Sequence, residues 1–146
     1  PRGYGVFEID GGEVKWYYKS TDYPADYQMT LYAGAEYPQF EGALVANVWA
    51  SDKNWVVEAS FDGGKAKAME QFMTYDPAAQ TMYASNEGMD HSYVYPTPAD
   101  HFYRIAIPEG ATKATVTATD SFGRRYIQEI NLNILWSKSS GLLPNF

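Results

Sequence analysis

The feature that most constrains how this chain can fold is its punctuation. Valine, isoleucine, threonine and aromatic residues stand in short runs, and glycine, proline or aspartate breaks them roughly every eight to twelve residues. Aromatic residues make up 16% of the 146 positions, with 13 tyrosines, which suits pleated, half-buried strands better than helices. The opening unit is the clearest. Val6–Ile9 and Val14–Tyr18 flank Asp10-Gly11-Gly12-Glu13, and Gly11-Gly12 can take the positive φ that a two-residue hairpin turn demands. That register sets Ile9 against Val14 and Phe7 against Trp16 on one face, and Glu8 against Lys15 on the other. The apolar face, Phe7, Ile9, Val14 and Trp16, is expected to enter the core.

The rest of the chain follows the same logic. Tyr27, Met29 and Leu31 alternate with Gln28 and Thr30 after the turn Tyr23-Pro24-Ala25-Asp26. Ala43–Ala50 is apolar on both faces and reads as a central strand, whereas Trp55, Val57, Ala59 and Phe61 alternate with Val56, Glu58 and Ser60 as a half-exposed one. Between Lys65 and Ser85 the period changes: Met69, Phe72 and Met73 stand at helical spacing, and Asp76-Pro77 predicts a helix over Pro77–Ala84, with aspartate as cap and proline in the first turn. Asn86–Asp100, with Pro96-Thr97-Pro98, reads as a loop. Phe102–Ile107, Ala114–Thr119 and Arg124–Asn133 read as strands, turned by Pro108-Glu109-Gly110 and Asp120-Ser121-Phe122-Gly123. The expectation is an all-β, antiparallel β-sandwich of the immunoglobulin or fibronectin III kind, with about seven to nine strands and one short helix. It is one compact domain, in which residues 1–33 form an N-terminal hairpin and strand, 34–136 the sandwich core and 137–146 a tail.

Charge and composition exclude several functions. Eleven basic residues against 18 acidic give a net charge of −7, and the basic ones are scattered from Arg2 to Lys138, so no nucleic-acid partner is expected. The uncharged run Gly42–Ser51 is about half the length of a membrane span. There is no cysteine for a disulfide, a thiolate nucleophile or a thiolate-bound metal. Two histidines, His91 and His101, each follow an aspartate, Asp90 and Asp100. Neighbouring strand residues point to opposite faces, so an Asp-His pair is a poor chelate, and surface or turn roles are expected rather than a metal site. No serine sits in a glycine-flanked elbow. Asp10 and Asp62 precede Gly-Gly pairs, but the alternating ligands of a calcium loop do not follow, and hairpin turns explain both. No pair of carboxylates is set in an apolar pocket as glycosidase chemistry requires. No catalytic residue, cofactor site or metal site is assigned.

What remains is the aromatic inventory. Tyr17, Tyr32, Trp49, Tyr93 and Tyr95 fall on the faces opposite the expected core or in loops, where they would serve as an interface or as a platform for sugar rings. Rings on both faces of a strand have a simpler meaning: a sheet covered on one side by its partner sheet and on the other by a further domain.

Several strings, in order and spacing, resemble a known family. They are Gly3-Tyr4-Gly5-Val6-Phe7-Glu8-Ile9-Asp10-Gly11, then Val14–Lys19 and Asp26-Tyr27-Gln28-Met29, then Asn47-Val48-Trp49-Ala50, Trp55-Val56-Val57-Glu58 with Asp62-Gly63, and Thr119-Asp120-Ser121-Phe122-Gly123-Arg124-Arg125-Tyr126. Together they cover most of residues 1 to about 135 and resemble the C-terminal domain of bacterial calcineurin-like metallophosphoesterases, including the passage out of the catalytic domain. The opening Pro1-Arg2-Gly3-Tyr4 then reads as the start of a piece of a longer chain. The resemblance implies a β-sandwich accessory domain whose partner is a two-metal phosphoesterase domain of the same chain, reached through the Gly3–Lys19 hairpin. The catalytic motifs of that family, Asp-x-His, Gly-Asp-x-x-Asp, Gly-Asn-His-Asp/Glu and Gly-His-x-His, are not found; none of the 12 glycines is followed by Asp, Asn or His. As an isolated domain the chain is therefore expected not to be an enzyme. The alternative is a carbohydrate-binding module with a glycan partner, and by analogy the compartment is periplasmic or extracellular.

Overall fold

The computed structural model describes residues 2–34, 36–84, 93 and 95–132. Asp90, His91 and the tail 137–146, for which the sequence suggested roles, lie outside these residues. Ten strands are found among the described residues: β1 (Gly3–Asp10), β2 (Glu13–Ser20), β3 (Met29–Ala33), β4 (Ala43–Val48), β5 (Val56–Phe61), β6 (Lys67–Ala68), β7 (Glu70–Thr74), β8 (Ala99–Ala106), β9 (Lys113–Thr119) and β10 (Arg125–Asn131). A short 3-10 turn, Pro38–Phe40, precedes β4, and one helix, α1 (Pro77–Tyr83), precedes β8.

Two four-stranded antiparallel sheets, ordered β3-β4-β8-β7 and β10-β9-β5-β6, form a sandwich, and β1-β2 is a separate two-stranded ribbon. The core lies where the inner faces of the two sheets meet. Met29, Leu44, Ala46, Val48 and Tyr103 from one sheet pack with Val57, Ala59, Ala114, Val116, Ala118 and Tyr126 from the other. Strand β9 shows the alternation that produces this: Ala114, Val116 and Ala118 are fully buried while its threonines face outward. Small alanines across from tyrosine and methionine let the layers interdigitate.

Strand β4 is buried on both faces, as its doubly apolar sequence predicts. Its second face, Val45 with Tyr32, Phe40 and Phe102, makes a smaller cluster on the outside of its sheet. Helix α1 also forms as predicted, with Asp76 capping through a 2.8 Å bond from the Ala78 N–H to Oδ1. Seven residues are too few to hold a helix alone, so its packing must do so.

Two expectations need correction. The helical spacing of Met69, Phe72 and Met73 is not a helix: β6 pairs with β5, Met69 bonds back to Val57 and plugs the core, and β7 crosses to pair with β8 in the other sheet. One extended segment thus changes sheets at Met69, and pairing overrides a weak local period. Within residues 1–33, β3 is built into the sandwich while the ribbon pairs with neither sheet. The ribbon has the expected register, Ile9 opposite Val14 and Phe7 opposite Trp16. Its apolar face, however, is not core: Phe7 is 64% exposed, Ile9 73% and Val14 52%.

Candidate functional site

The ribbon is anchored at a seam built around Arg124. The turn Asp120–Gly123 folds because the Asp120 carboxylate accepts the backbone N–H groups of Phe122 (2.9 Å) and Arg124 (2.8 Å), and Gly123 takes the positive φ of 83°. That turn delivers Arg124 to the ribbon. Its guanidinium donates to the Trp16 carbonyl at 3.0 Å and to Glu8 Oε2 at 2.7 Å, with Asp120 Oδ2 3.8 Å behind it. It also lies over the rings of Tyr17 (5.2 Å) and Phe122 (5.5 Å). The planar, multi-donor guanidinium satisfies both a strand carbonyl and a carboxylate while stacking on aromatic faces, which no lysine could do.

A second tie comes from Gln28, whose buried amide donates to the Tyr18 carbonyl (2.5 Å) and the Ala25 carbonyl (2.8 Å). Tyr18 meets Trp49 edge to face, and Trp49 packs against Tyr23 and Tyr27, themselves stacked 4.4 Å apart.

The five rings singled out from the sequence are not brought together. Tyr32 and Trp49 are each 4% exposed, so neither presents its ring face at the surface, although Trp49 lines a seam pocket together with Tyr17. Tyr32 sits beneath Tyr37 and Phe40, and Trp49 beneath Tyr23 and Tyr27. The outer face of the β3-β4-β8-β7 sheet is thus covered by the chain's own turns. Tyr17 is half-buried under Arg124, while Tyr93 and Tyr95 are 70% and 71% exposed.

That outer face also carries a polar network that the sequence reading did not anticipate. Asp76 Oδ1 accepts from the Tyr32 hydroxyl (2.8 Å) and the Ala78 N–H, and its Oδ2 accepts from Asn47 Nδ2 (2.7 Å). Because Asn47 spends its N–H on a carboxylate, its Oδ1 must accept, so His101 Nδ1, 2.7 Å away, carries a proton and donates. His101 reaches this position through a bulge: Phe72 pairs with Phe102 and Thr74 with Ala99, so Asp100 and His101 together oppose Met73. The extra residue breaks the alternation and sets the imidazole against the Phe102 ring. Burial holds His101 below the usual histidine range, against the opposing pull of Asp100. Burial, then the bond to Asp76, pushes the Tyr32 phenol up. The phenol bonds the carboxylate directly and the imidazole reaches it through Asn47, and this network docks α1 on the sheet. The only sequence signal was the capping aspartate.

Asp62 is a clasp rather than a calcium ligand: its carboxylate accepts from the Thr112 hydroxyl (2.6 Å), the Thr112 N–H and the Lys113 N–H. The Thr112 hydroxyl first, then those backbone bonds, lower its pKa. Among the described residues no group of three or more histidine, aspartate or glutamate side chains could hold a metal ion, and no helix is long and apolar enough to cross a membrane.

Fold and seam define a β-sandwich domain with a clamped N-terminal ribbon that presents apolar side chains outward. The chain belongs to the family described as the C terminal of calcineurin-like phosphoesterase, whose family model matches residues 1–126. That span includes the ribbon, the seam and the network. No curated protein matches the chain. No solved structure matches it.

Proposed function

We propose that this C-terminal phosphoesterase domain is a non-catalytic accessory domain, packed on the catalytic domain of the same chain and shaping access to it. The observation that carries the reading is the ribbon. Phe7, Ile9 and Val14 share one face at 64%, 73% and 52% exposure, with Trp16 beside them. Exposed neighbouring apolar side chains on an isolated strand pair are costly in water and mark a contact surface. Aromatic residues suit the buried centre of such a contact. The Arg124 seam holds this face at a set angle to the sandwich, so a domain docked on it would be held in turn.

The test uses the intact phosphoesterase. Phe7→Ser combined with Ile9→Ser is expected to accelerate proteolytic cleavage between the two domains and to change kcat/KM for a bulky phosphoester. Cleavage and kinetics identical to wild type would refute docking through the ribbon. The 146-residue chain alone is expected to leave phosphodiesters intact with divalent metal added; turnover there would refute the non-catalytic role.

A further inference from the structure

The ribbon has two edges, and they are treated differently. On β2 the Trp16 and Tyr18 carbonyls turn away from β1, because Arg124 and Gln28 of the sandwich bond to them. Facing residues of an antiparallel pair alternate between pairs that exchange both backbone bonds and pairs that exchange none. Phe7 and Gly5, opposite Trp16 and Tyr18, therefore also turn their N–H and C=O groups outward, and so do Ile9 and Gly3. The bond from the Thr21 N–H to the Arg2 carbonyl sets the same phase from the other end of the strand. Gly5, Phe7 and Ile9 have no backbone partner on that outer side among the described residues. Folded proteins blunt such an edge with proline, lysine, a bulge or a cover. Strand β1 holds no proline or lysine, its register runs unbroken from Gly3 to Asp10, and all of its residues but Val6 are exposed.

The side chains along this edge fit a second copy of themselves. A two-fold axis through Val6 lays β1 antiparallel on its own image, so that Gly3 faces Ile9 and Gly5 faces Phe7. Every outward-turned residue then meets another, for roughly eight backbone bonds. Sliding the copies by two residues either way loses facing pairs within β1. Charge agrees with this register: Arg2 falls opposite Asp10 of the second copy at both ends, and no like charges face each other. Shape agrees as well. The Phe7 ring lies back over Gly5, where an added Cβ would meet it at 3.1 Å, and a facing glycine leaves room for that ring. The sandwich is fastened along β2, the far edge.

We propose that β1 pairs antiparallel with β1 of a second copy of this chain, joining two ribbons into one four-stranded sheet across a two-fold axis. The pairing uses the edge, so it goes beyond docking through the apolar face and does not depend on it. Sedimentation of the 146-residue chain between about 10 µM and about 1 mM, the range of weak association, should show the mass climbing from 16.4 kDa toward twice that value. Over the same range the Gly5, Phe7 and Ile9 amides should gain protection from hydrogen exchange. Val6 and Glu8, already bonded to β2, should not change. Gly5→Pro removes an outward N–H at an open edge, where proline is tolerated. It should weaken dimerisation roughly tenfold or more, since one N–H is lost from each copy. Arg2→Asp should weaken it too, and adding Asp10→Arg to the same chain should restore it. Those two residues lie at opposite ends of β1, so the rescue reports contact between copies. A monomer at every concentration overturns the proposal. A dimer whose Gly5, Phe7 and Ile9 amides stay unprotected, as packing through the apolar faces would leave them, overturns it as well. The exchange reading needs no variant, and docking on the catalytic domain is judged separately, by cleavage and kinetics of the intact phosphoesterase.

Discussion

If Arg124 is what holds the ribbon, Arg124→Leu should release the ribbon while leaving the sandwich folded. The bond to the Trp16 carbonyl is charge-assisted and half-shielded, since the arginine side chain is 27% exposed; discounted for that exposure it is worth about 1–2 kcal/mol. The Glu8 partner is 57% exposed, so that ion pair adds about 0–1 kcal/mol. Stacking on Tyr17 and Phe122 contributes about 0.5–1 kcal/mol for each ring. The sum is about 2–5 kcal/mol of ribbon attachment. A free two-stranded ribbon is marginal in water, so its amides should exchange with solvent roughly 30- to 5,000-fold faster in the variant. Hydrogen exchange by mass spectrometry reads this directly, comparing peptides from β1–β2 with peptides from β4 and β9. Glu8→Gln alone should move the ribbon peptides little. Wild-type exchange in the ribbon of Arg124→Leu would show that Gln28 and the Trp49 cluster suffice without the arginine. Equal acceleration in β4 and β9 would show that the ribbon is no separable unit.

Two further outcomes follow from the outer-face network. Asp76→Ala removes the helix cap and strips the Tyr32 hydroxyl and Asn47 amide of their acceptor. Urea unfolding should show a loss of about 3–5 kcal/mol, and a loss below about 1 kcal/mol would mean that water replaces the carboxylate freely. His101 is held below its unfolded value of 6.5, so its contribution is fully present above that pH and is lost as pH falls from there through the folded value. Unfolding free energy should therefore decline on acidification from pH 7, beyond the decline seen in His101→Gln; parallel profiles for the two proteins would exclude the histidine as a source.

Much of the architecture follows from local chemistry. Gly11-Gly12 between matched strands sets the ribbon register, and Asp76-Pro77 starts the helix. The doubly apolar Ala43–Val48 takes the centre of its sheet, and Asp120 to Gly123 turns β9 into β10. In each case a short stretch carries both the pattern and its physical cause. What the sequence could not settle is which apolar face meets which. Phe7, Ile9, Val14 and Trp16 have the pattern of a core face, yet the ribbon has no second layer over it among the described residues. Tyr32 and Trp49 have the pattern of outward rings, yet a 3-10 turn and a tyrosine pair return to bury them. The seam and the network joining Tyr32, Asn47, Asp76 and His101 draw on residues from 29 to 116 positions apart. Contacts at that separation leave no periodic trace, because nothing local distinguishes an arginine that will find a strand carbonyl from one that will face water. Local sequence determined the strands, the turns and the cap; only the folded chain decided that one arginine and one aspartate would fasten the ribbon and the helix to the sandwich.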